Sequence, residues 1–115
     1  MRAVDQGNAG VGDEIQGYAT HYGESYEGQP LGCGTGVYRS VDAGIVAVGP
    51  AQYAAWPCGT VLRVCGAAGC VEAIRQDACP GCSPNQLDLS EAGIAAVCGG
   101  AEVGRCEVTI TVEAP

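Results

Sequence analysis

Two aspartates, Asp77 and Asp88, are the residues of this chain whose type and spacing are best suited to chemistry. They flank a loop rich in turn residues and cysteines, and just after Asp88 comes Ser90, which opens an apolar-periodic run ending at Cys98. A serine before such a run is typical of a helix N-cap. We therefore expect Asp77 at a strand end and Asp88 at a helix entrance, where backbone N–H groups favour an anion. Paired carboxylates are the groups that glycoside chemistry uses, although both aspartates also suit purely structural roles, as a helix cap and a turn-ordering acid.

Short strands separated by turns make up most of the chain from Gln16 onward. The clearest strand alternates polar and apolar residues over 106–112, and the loop 66–69 indicates a hairpin. The predicted strands cover residues 18–22, 43–48, 60–65, 70–75 and 106–112, and short helices are predicted at 51–56 and 90–98. Nineteen glycines among many short strands favour a small closed barrel.

The size and cysteine usage predict a small secreted protein. Residues 1–15 are rich in glycine and acids and are expected to form a flexible leader, whereas residues 16–115 form one domain. Eight cysteines, an even number in a short chain, predict a disulfide framework made in an oxidising compartment. The first residues lack the apolar stretch of a secretory signal, and no segment has the length of a transmembrane helix. We expect the mature part of an extracellular protein that acts as a monomer.

The formal net charge of −8 excludes some partners. Because such a surface repels polyphosphate, nucleic acid is not expected to bind. Anionic membranes and acidic wall polymers gain no long-range attraction either. A neutral partner such as a glycan fits better, but charge alone does not choose between a glycan and a protein.

The cysteines can be paired from their positions in the predicted elements. Cys65 and Cys70 end the facing strands of one hairpin, and Cys79 and Cys82 are near enough to close a tight loop. Eight cysteines allow many pairings. The pairs predicted here are Cys33–Cys58, Cys65–Cys70, Cys79–Cys82 and Cys98–Cys106.

The Cys79-Pro-Gly-Cys82 motif has three interpretations. A redox pair of the thioredoxin type should precede a helix after a βαβ pattern, and that context is missing. A zinc site needs two further ligands, but His21 is the sole histidine and the sequence has no second CxxC. We therefore expect a structural staple that rigidifies the segment between the two aspartates, and we expect neither a metal nor another cofactor.

Several short motifs occur in the order and spacing of double-psi β-barrel proteins: Thr20-His-Tyr-Gly23, Ile45-Val-Ala-Val48, Cys58-Gly-Thr60, Asp77-Ala-Cys-Pro-Gly-Cys82 and Leu87-Asp-Leu-Ser90. They resemble the expansin-like and rare lipoprotein A-like group, which includes single-domain proteins called loosenins. The resemblance covers about residues 16–113. It implies an all-β fold, a six-stranded double-psi β-barrel with two short helices, stapled by disulfides and carrying a groove across one face.

The resemblance also implies roles for individual residues. Asp88 matches the acid that expansins require for wall loosening and that family-45 endoglucanases use as general acid. Asp77 matches the other aspartate of the family, and Thr20 matches the threonine of the groove. Family-45 enzymes place their catalytic base where Glu24 stands, but the Gly-flanked segment around Glu24 predicts an exposed, solvated acid.

Further matches concern the groove and the staples. Tyr22 and Tyr26, beside the implied groove, are candidates for stacking on sugar rings. The pairs Cys33–Cys58 and Cys65–Cys70 match bridges of plant expansins, in agreement with the hairpin argument.

The sequence departs from its relatives in three respects. Cys79 stands where bacterial expansins often carry an aromatic residue, and Gly49 stands where lytic transglycosylases of the rare lipoprotein A type carry a catalytic histidine. The second, carbohydrate-binding domain of true expansins has no counterpart in this sequence. The missing histidine argues against the transglycosylase mechanism.

The sequence therefore predicts a secreted protein that binds cell-wall polysaccharide, such as cellulose, chitin or peptidoglycan, and loosens the wall without hydrolysis. Two alternatives stay open because fold does not determine function. One is a glycan-cleaving enzyme, either a lytic transglycosylase or an inverting glycoside hydrolase with Asp88 as acid and Glu24 or Asp77 as base. The other is a barwin-like module that binds protein, for example a protease inhibitor. Neither nucleic acid nor a membrane is an expected partner.

Overall fold

A computed structural model describes residues 11–114, in which six strands close into a barrel with the order β1-β5-β2-β4-β3-β6. The β1–β5 and β2–β4 pairs are parallel and the other four pairs are antiparallel. The predicted all-β, six-stranded double-psi barrel is thus confirmed. The strands are β1 (Glu14–His21), β2 (Ile45–Val48), β3 (Val61–Gly66), β4 (Gly69–Ala78), β5 (Gln86–Leu89) and β6 (Cys106–Ala114).

One α-helix and three 3₁₀ turns complete the described part of the chain. The helix α1 (Glu91–Cys98) starts at Ser90, whose Oγ accepts a hydrogen bond from the Gly93 N–H at 3.0 Å, so the N-cap prediction is confirmed. The 3₁₀ turns span Glu24–Tyr26, Pro50–Gln52 and Ala101–Val103. None of the helices in residues 11–114 is long and apolar enough to cross a membrane.

Three element predictions differ from the structure. The helix predicted at 51–56 is only the 3₁₀ turn Pro50–Gln52 followed by turns. The segment makes one α-type hydrogen bond, from the Trp56 N–H to the Gln52 carbonyl at 2.8 Å, and it is too short for the run of such bonds that an α-helix needs. The strand β5 was not predicted, and it places Asp88 inside a strand rather than at the helix entrance. The strand β1 spans Glu14–His21 and not residues 18–22, and residues 1–10 of the predicted leader lie outside the described residues.

Two apolar clusters explain why β2 is a continuous apolar run. Val46 and Val48 point into the barrel, where they pack with the inward residues of all six strands and with α1. Ile45 and Ala47 point outward, yet they too are buried, at 1% exposure each. They are covered by an outer cluster, which consists of Tyr22, Leu31, Tyr38, Ile45 and Ala47. A strand buried on both faces has no polar positions to alternate.

Four disulfides tie the elements together, and they join the cysteines paired in the sequence analysis. The bridge Cys65–Cys70 closes the β3–β4 hairpin across a registered pair, and Cys98–Cys106 links the end of α1 to the start of β6. Cys33–Cys58 anchors the segment after β1, and Cys79–Cys82 closes the loop after β4. Among residues 11–114 no cysteine is free.

Candidate functional site

Strand register brings the two aspartates onto one face of the barrel. Asp88 pairs with Thr20 of β1 on one side and with Ala47 of β2 on the other, and Ala47 in turn pairs with Asp77 of β4. Registered neighbours project to the same side of a sheet. Thr20, Asp88, Ala47 and Asp77 therefore form one row across four strands, which we call the acid row. Two interstrand spacings put the Cα atoms of the aspartates about 10 Å apart.

A bulge in the β2–β4 pairing aims Asp77 at this face. The register runs Val46 with Arg75 and then Ala47 with Asp77, so Gln76 has no partner on β2. In a regular strand, Arg75 and Asp77 would point to the same side. The extra residue turns the side chain of Asp77 to the face that Ala47 occupies. A β-bulge beside a functional site often redirects a side chain in this way.

Asp88 is half-buried in the acid row. Its Oδ1 accepts a hydrogen bond from the Thr20 hydroxyl at 2.7 Å. Burial raises the pKa of Asp88, and the negative charge of Asp77 raises it further but is the smallest cause. The Thr20 hydrogen bond and the nearby His21 oppose this rise. Desolvation outweighs the repulsion between the two aspartates because strand β2 lies between them.

Asp77 is held by both of its carboxylate oxygens. Oδ2 accepts from the Tyr22 hydroxyl and Oδ1 accepts from the Gly32 N–H, each at 2.7 Å. Burial and then the bond to Asp77 raise the pKa of Tyr22, so this hydroxyl stays a donor. A Cβ at position 32 would lie 2.9 Å from Asp77 Oδ1, and the glycine allows this close approach. The carboxylate is thereby fixed in one orientation.

The aromatic residues divide into a buried pair and an exposed ring. Tyr22 is only 4% exposed and stacks on Tyr38 with ring centroids 4.2 Å apart. Tyr26 meets the edge of Tyr22 at 5.6 Å and is 52% exposed. The ring of Tyr22 is thus covered, and its contribution to the site is its hydroxyl. Of the two tyrosines predicted to stack on sugars, Tyr26 is the one with an accessible ring.

An open groove of about 560 Å³ lies beside Asp77. Its floor and walls combine aromatic, proline and polar side chains, a composition that suits a carbohydrate better than an apolar ligand. The lining residues are Tyr22, Ser25, Tyr26, Gln29, Pro30, Tyr38, Asp77, Ala78 and Pro80. Sequence reasoning missed Tyr38, Gln29 and Pro30, which come from the long segment between β1 and β2.

Two further predicted positions lie at the edge of this region. Glu24 is exposed on the 3₁₀ turn that carries Tyr26, as expected for a solvated acid. Gly49 is buried under the Cys79–Cys82 loop, and a Cβ there would lie 2.7 Å from the carbonyl oxygen of Cys82. A larger side chain at this position would have to displace that loop.

Comparison with solved structures shows similar folds. Apo expansin from Clavibacter michiganensis is 34% identical with a TM-score of 0.71, over 90% of this chain and 52% of that chain. An Asp-to-Asn variant of the same expansin in complex with cellohexaose is 30% identical with a TM-score of 0.71, over 87% of this chain and 50% of that chain. The chain therefore spans about half the length of these expansins.

A third similar structure is a Streptomyces papain inhibitor, 23% identical with a TM-score of 0.72, over 90% of this chain and 96% of that chain. At that identity the likeness concerns the fold alone. No protein-family model and no curated protein matches the chain. The resemblance to expansin-like double-psi β-barrels is confirmed by the solved structures.

Proposed function

We propose that this expansin-like double-psi β-barrel is a secreted protein that binds a neutral cell-wall polysaccharide and loosens it without cleaving it. The observation that carries the proposal is the acid row beside an open groove with one exposed ring, Tyr26. The cellohexaose complex of the Clavibacter expansin supports a β-linked glucan as the ligand class.

The chemistry proposed for the site is competition for hydrogen bonds. Carboxylates accept strong hydrogen bonds from hydroxyl donors, so Asp77 and Asp88 can engage sugar hydroxyls that otherwise bind a neighbouring glycan chain. Asp77 retains acceptor capacity because each carboxylate oxygen has two lone pairs and one is used by Tyr22 or Gly32. Tyr26 offers a ring face for the apolar side of a sugar.

The charges around the groove favour a neutral glycan. Arg39 lies 3.7 Å from Glu27, and Arg75 is buried, donates its Nε–H to the carbonyl of Asp77 and lies over the ring of Tyr53. Arg75 is therefore engaged by the protein itself, and Arg39 is partly neutralised by Glu27. An anionic polymer would meet Asp77 on a chain whose formal net charge is −8, so we expect cellulose or chitin to bind better than peptidoglycan, which carries carboxylates.

We predict that the protein releases no reducing ends from soluble β-glucans. Inversion needs a base and an acid roughly 6.5–9.5 Å apart with a water between them. Glu24 stands on an exposed turn, so it is not held in place to activate a water opposite the acid. Incubation with soluble glucan followed by a reducing-end assay is the measurement. Steady release that disappears in Glu24→Gln would establish the hydrolase instead.

We predict that Tyr26→Ala weakens binding to insoluble cellulose about tenfold, equivalent to about 1.4 kcal/mol, because the half-exposed ring loses its contact with the sugar. The measurement is depletion of the protein from solution by cellulose, chitin and peptidoglycan. Val41→Ala is the control, since Val41 is 84% exposed and is not among the groove residues. Equal loss in both variants would contradict a specific role for Tyr26.

A protein-binding function is the second candidate. It is favoured by one observation, that the chain matches nearly the whole length of the Streptomyces papain inhibitor and only half of the expansins. Inhibition of papain at stoichiometric concentration, with no depletion by any of the three polysaccharides, would select this alternative.

A further inference from the structure

A chain of hydrogen bonds runs along the barrel surface to Asp88. Gln86 and Asp88 lie on the same face of β5, two residues apart. The Oε1 atom of Gln86 accepts from the Tyr18 hydroxyl at 2.9 Å and from the Ser83 N–H at 2.8 Å. Its Nε2 donates to the Thr20 Oγ1 at 3.1 Å, and the Thr20 hydroxyl donates to Asp88 Oδ1 at 2.7 Å.

The direction of this chain is fixed at one point by the backbone. The N–H of Ser83 can only donate, so the side of the Gln86 amide that faces it must be the oxygen. The amide nitrogen then faces Thr20, and an NH₂ group cannot accept a hydrogen bond. The single hydroxyl proton of Thr20 is left with Asp88 as its acceptor.

We propose that Gln86 is a positioning residue, which locks the Thr20 hydroxyl as a donor to Asp88 and so holds this carboxylate in one orientation in the acid row. The hydrogen bond from Thr20 engages only the Oδ1 atom of Asp88. The Oδ2 atom is therefore left to accept a hydrogen bond from a ligand. This consequence for glycan binding rests on the proposed function, whereas the hydrogen-bond chain itself does not.

The test is an NMR pH titration of the Asp88 carboxyl carbon in four proteins: the wild type, Gln86→Met, Thr20→Val and the double variant. The Thr20 bond lowers the pKa of Asp88, so Thr20→Val should raise it. Gln86→Met frees the hydroxyl to rotate and should raise the pKa in the same direction by a smaller amount. The double variant should match Thr20→Val alone, because Gln86 acts only through Thr20.

Neutral substitutions keep the other charges around Asp88 constant. The titratable groups that interact electrostatically with Asp88 are His21, Asp77, Tyr22 and Tyr38. None of them is altered in these variants. The control is Gln16→Met, since Gln16 exchanges hydrogen bonds with Thr109 on the barrel surface and should leave the pKa of Asp88 unchanged.

Two results would overturn the proposal. The first is that the pKa of Asp88 does not change in Gln86→Met. The second is that the increase in this pKa in the double variant equals the sum of the increases in the two single variants. If Gln86→Met does not fold, Gln86→Glu keeps an acceptor for Tyr18 and Ser83 but draws the Thr20 proton away. In that background Thr20→Val should raise the pKa of Asp88 less than it does in the wild type, and a rise of the same size in both backgrounds would reject the proposal. Because the titration needs no ligand, it is decided independently of whether the wild type binds cellulose.

Discussion

The Asp88→Asn variant is expected to lose at least tenfold in affinity for cellulose while being no less stable than the wild type at neutral pH. The amide oxygen can still accept from the Thr20 hydroxyl, so the internal hydrogen bond survives. What is lost is a charged acceptor for sugar hydroxyls, which binds roughly twice as strongly as a neutral one. Depletion by insoluble cellulose and urea unfolding of the same preparations measure the two effects.

The pH dependence of this variant follows from the raised pKa of Asp88. Its ordinary value is 3.8, and burial raises it in the folded protein. Ionisation therefore costs more in the folded than in the unfolded state, and stability falls as the pH rises from that ordinary value through the folded pKa. Asp88→Asn removes this penalty. Its advantage in unfolding free energy should be present at about pH 7 and vanish near about pH 3, where the wild-type carboxyl is protonated in both states.

A matched substitution separates the acid row from general charge effects. Asp42 is exposed and its Oδ1 accepts from the Gly44 N–H at 2.8 Å, so Asp42→Asn makes the same chemical change outside the row. It should alter cellulose binding little. If Asp88→Asn instead unfolds the protein and the folded fraction binds normally, Asp88 is a structural residue and the proposed function loses its main support.

The acid pair could be predicted from local sequence, but its geometry could not. The turn-rich loop and the Ser90 cap are short-range features, and they pointed to Asp77 and Asp88. Regular alternation along β4, however, would place Asp77 on the same face of the sheet as Arg75. Only the bulge opposite Val46 and Ala47 turns Asp77 to the other face. A bulge depends on the pairing between distant strands, and no local pattern in the sequence specifies it.

The missed strand β5 shows how two local patterns compete. Leu87 and Leu89 alternate with Asp88 as in a half-buried strand, but the strand has only four residues, and the strong cap at Ser90 favours the entrance to α1 as the interpretation of the same segment. Because β5 was not predicted, the sequence could not show that Gln86 and Asp88 share one face of a strand.

The covered ring of Tyr22 has a similar origin. It arises from stacking on Tyr38, which lies in an irregular segment whose course is set by contacts far apart in sequence. By contrast, the Cys65–Cys70 pair follows from a hairpin with a two-residue turn, where local sequence determines the contact.

Gly17→Ala is expected to destabilise the protein by about 3 kcal/mol, although the substitution adds a single methyl group. A Cβ at Gly17 would lie 2.2 Å from the carbonyl oxygen of Asn85 and 2.9 Å from Ile110 Cδ1. The same carbonyl accepts from the Tyr18 N–H at 3.2 Å, so the loop that leads into β5 is seated directly on β1 at this glycine. The methyl group must push this loop off the strand. Denaturant unfolding with the disulfides intact is the measurement.

Gly23→Ala is the matched control for this prediction. Gly23 has a φ of −78°, and apart from its two chain neighbours no residue among 11–114 has an atom within 4 Å of where its Cβ would stand. The substitution should change the unfolding free energy by less than about 1 kcal/mol, with a gain expected because the unfolded chain loses freedom. Equal stability of the two variants would mean that the Asn85 loop yields without cost. If Gly17→Ala destabilises as expected, its folded fraction should also bind cellulose more weakly, because a displaced β5 moves Asp88 away from Thr20.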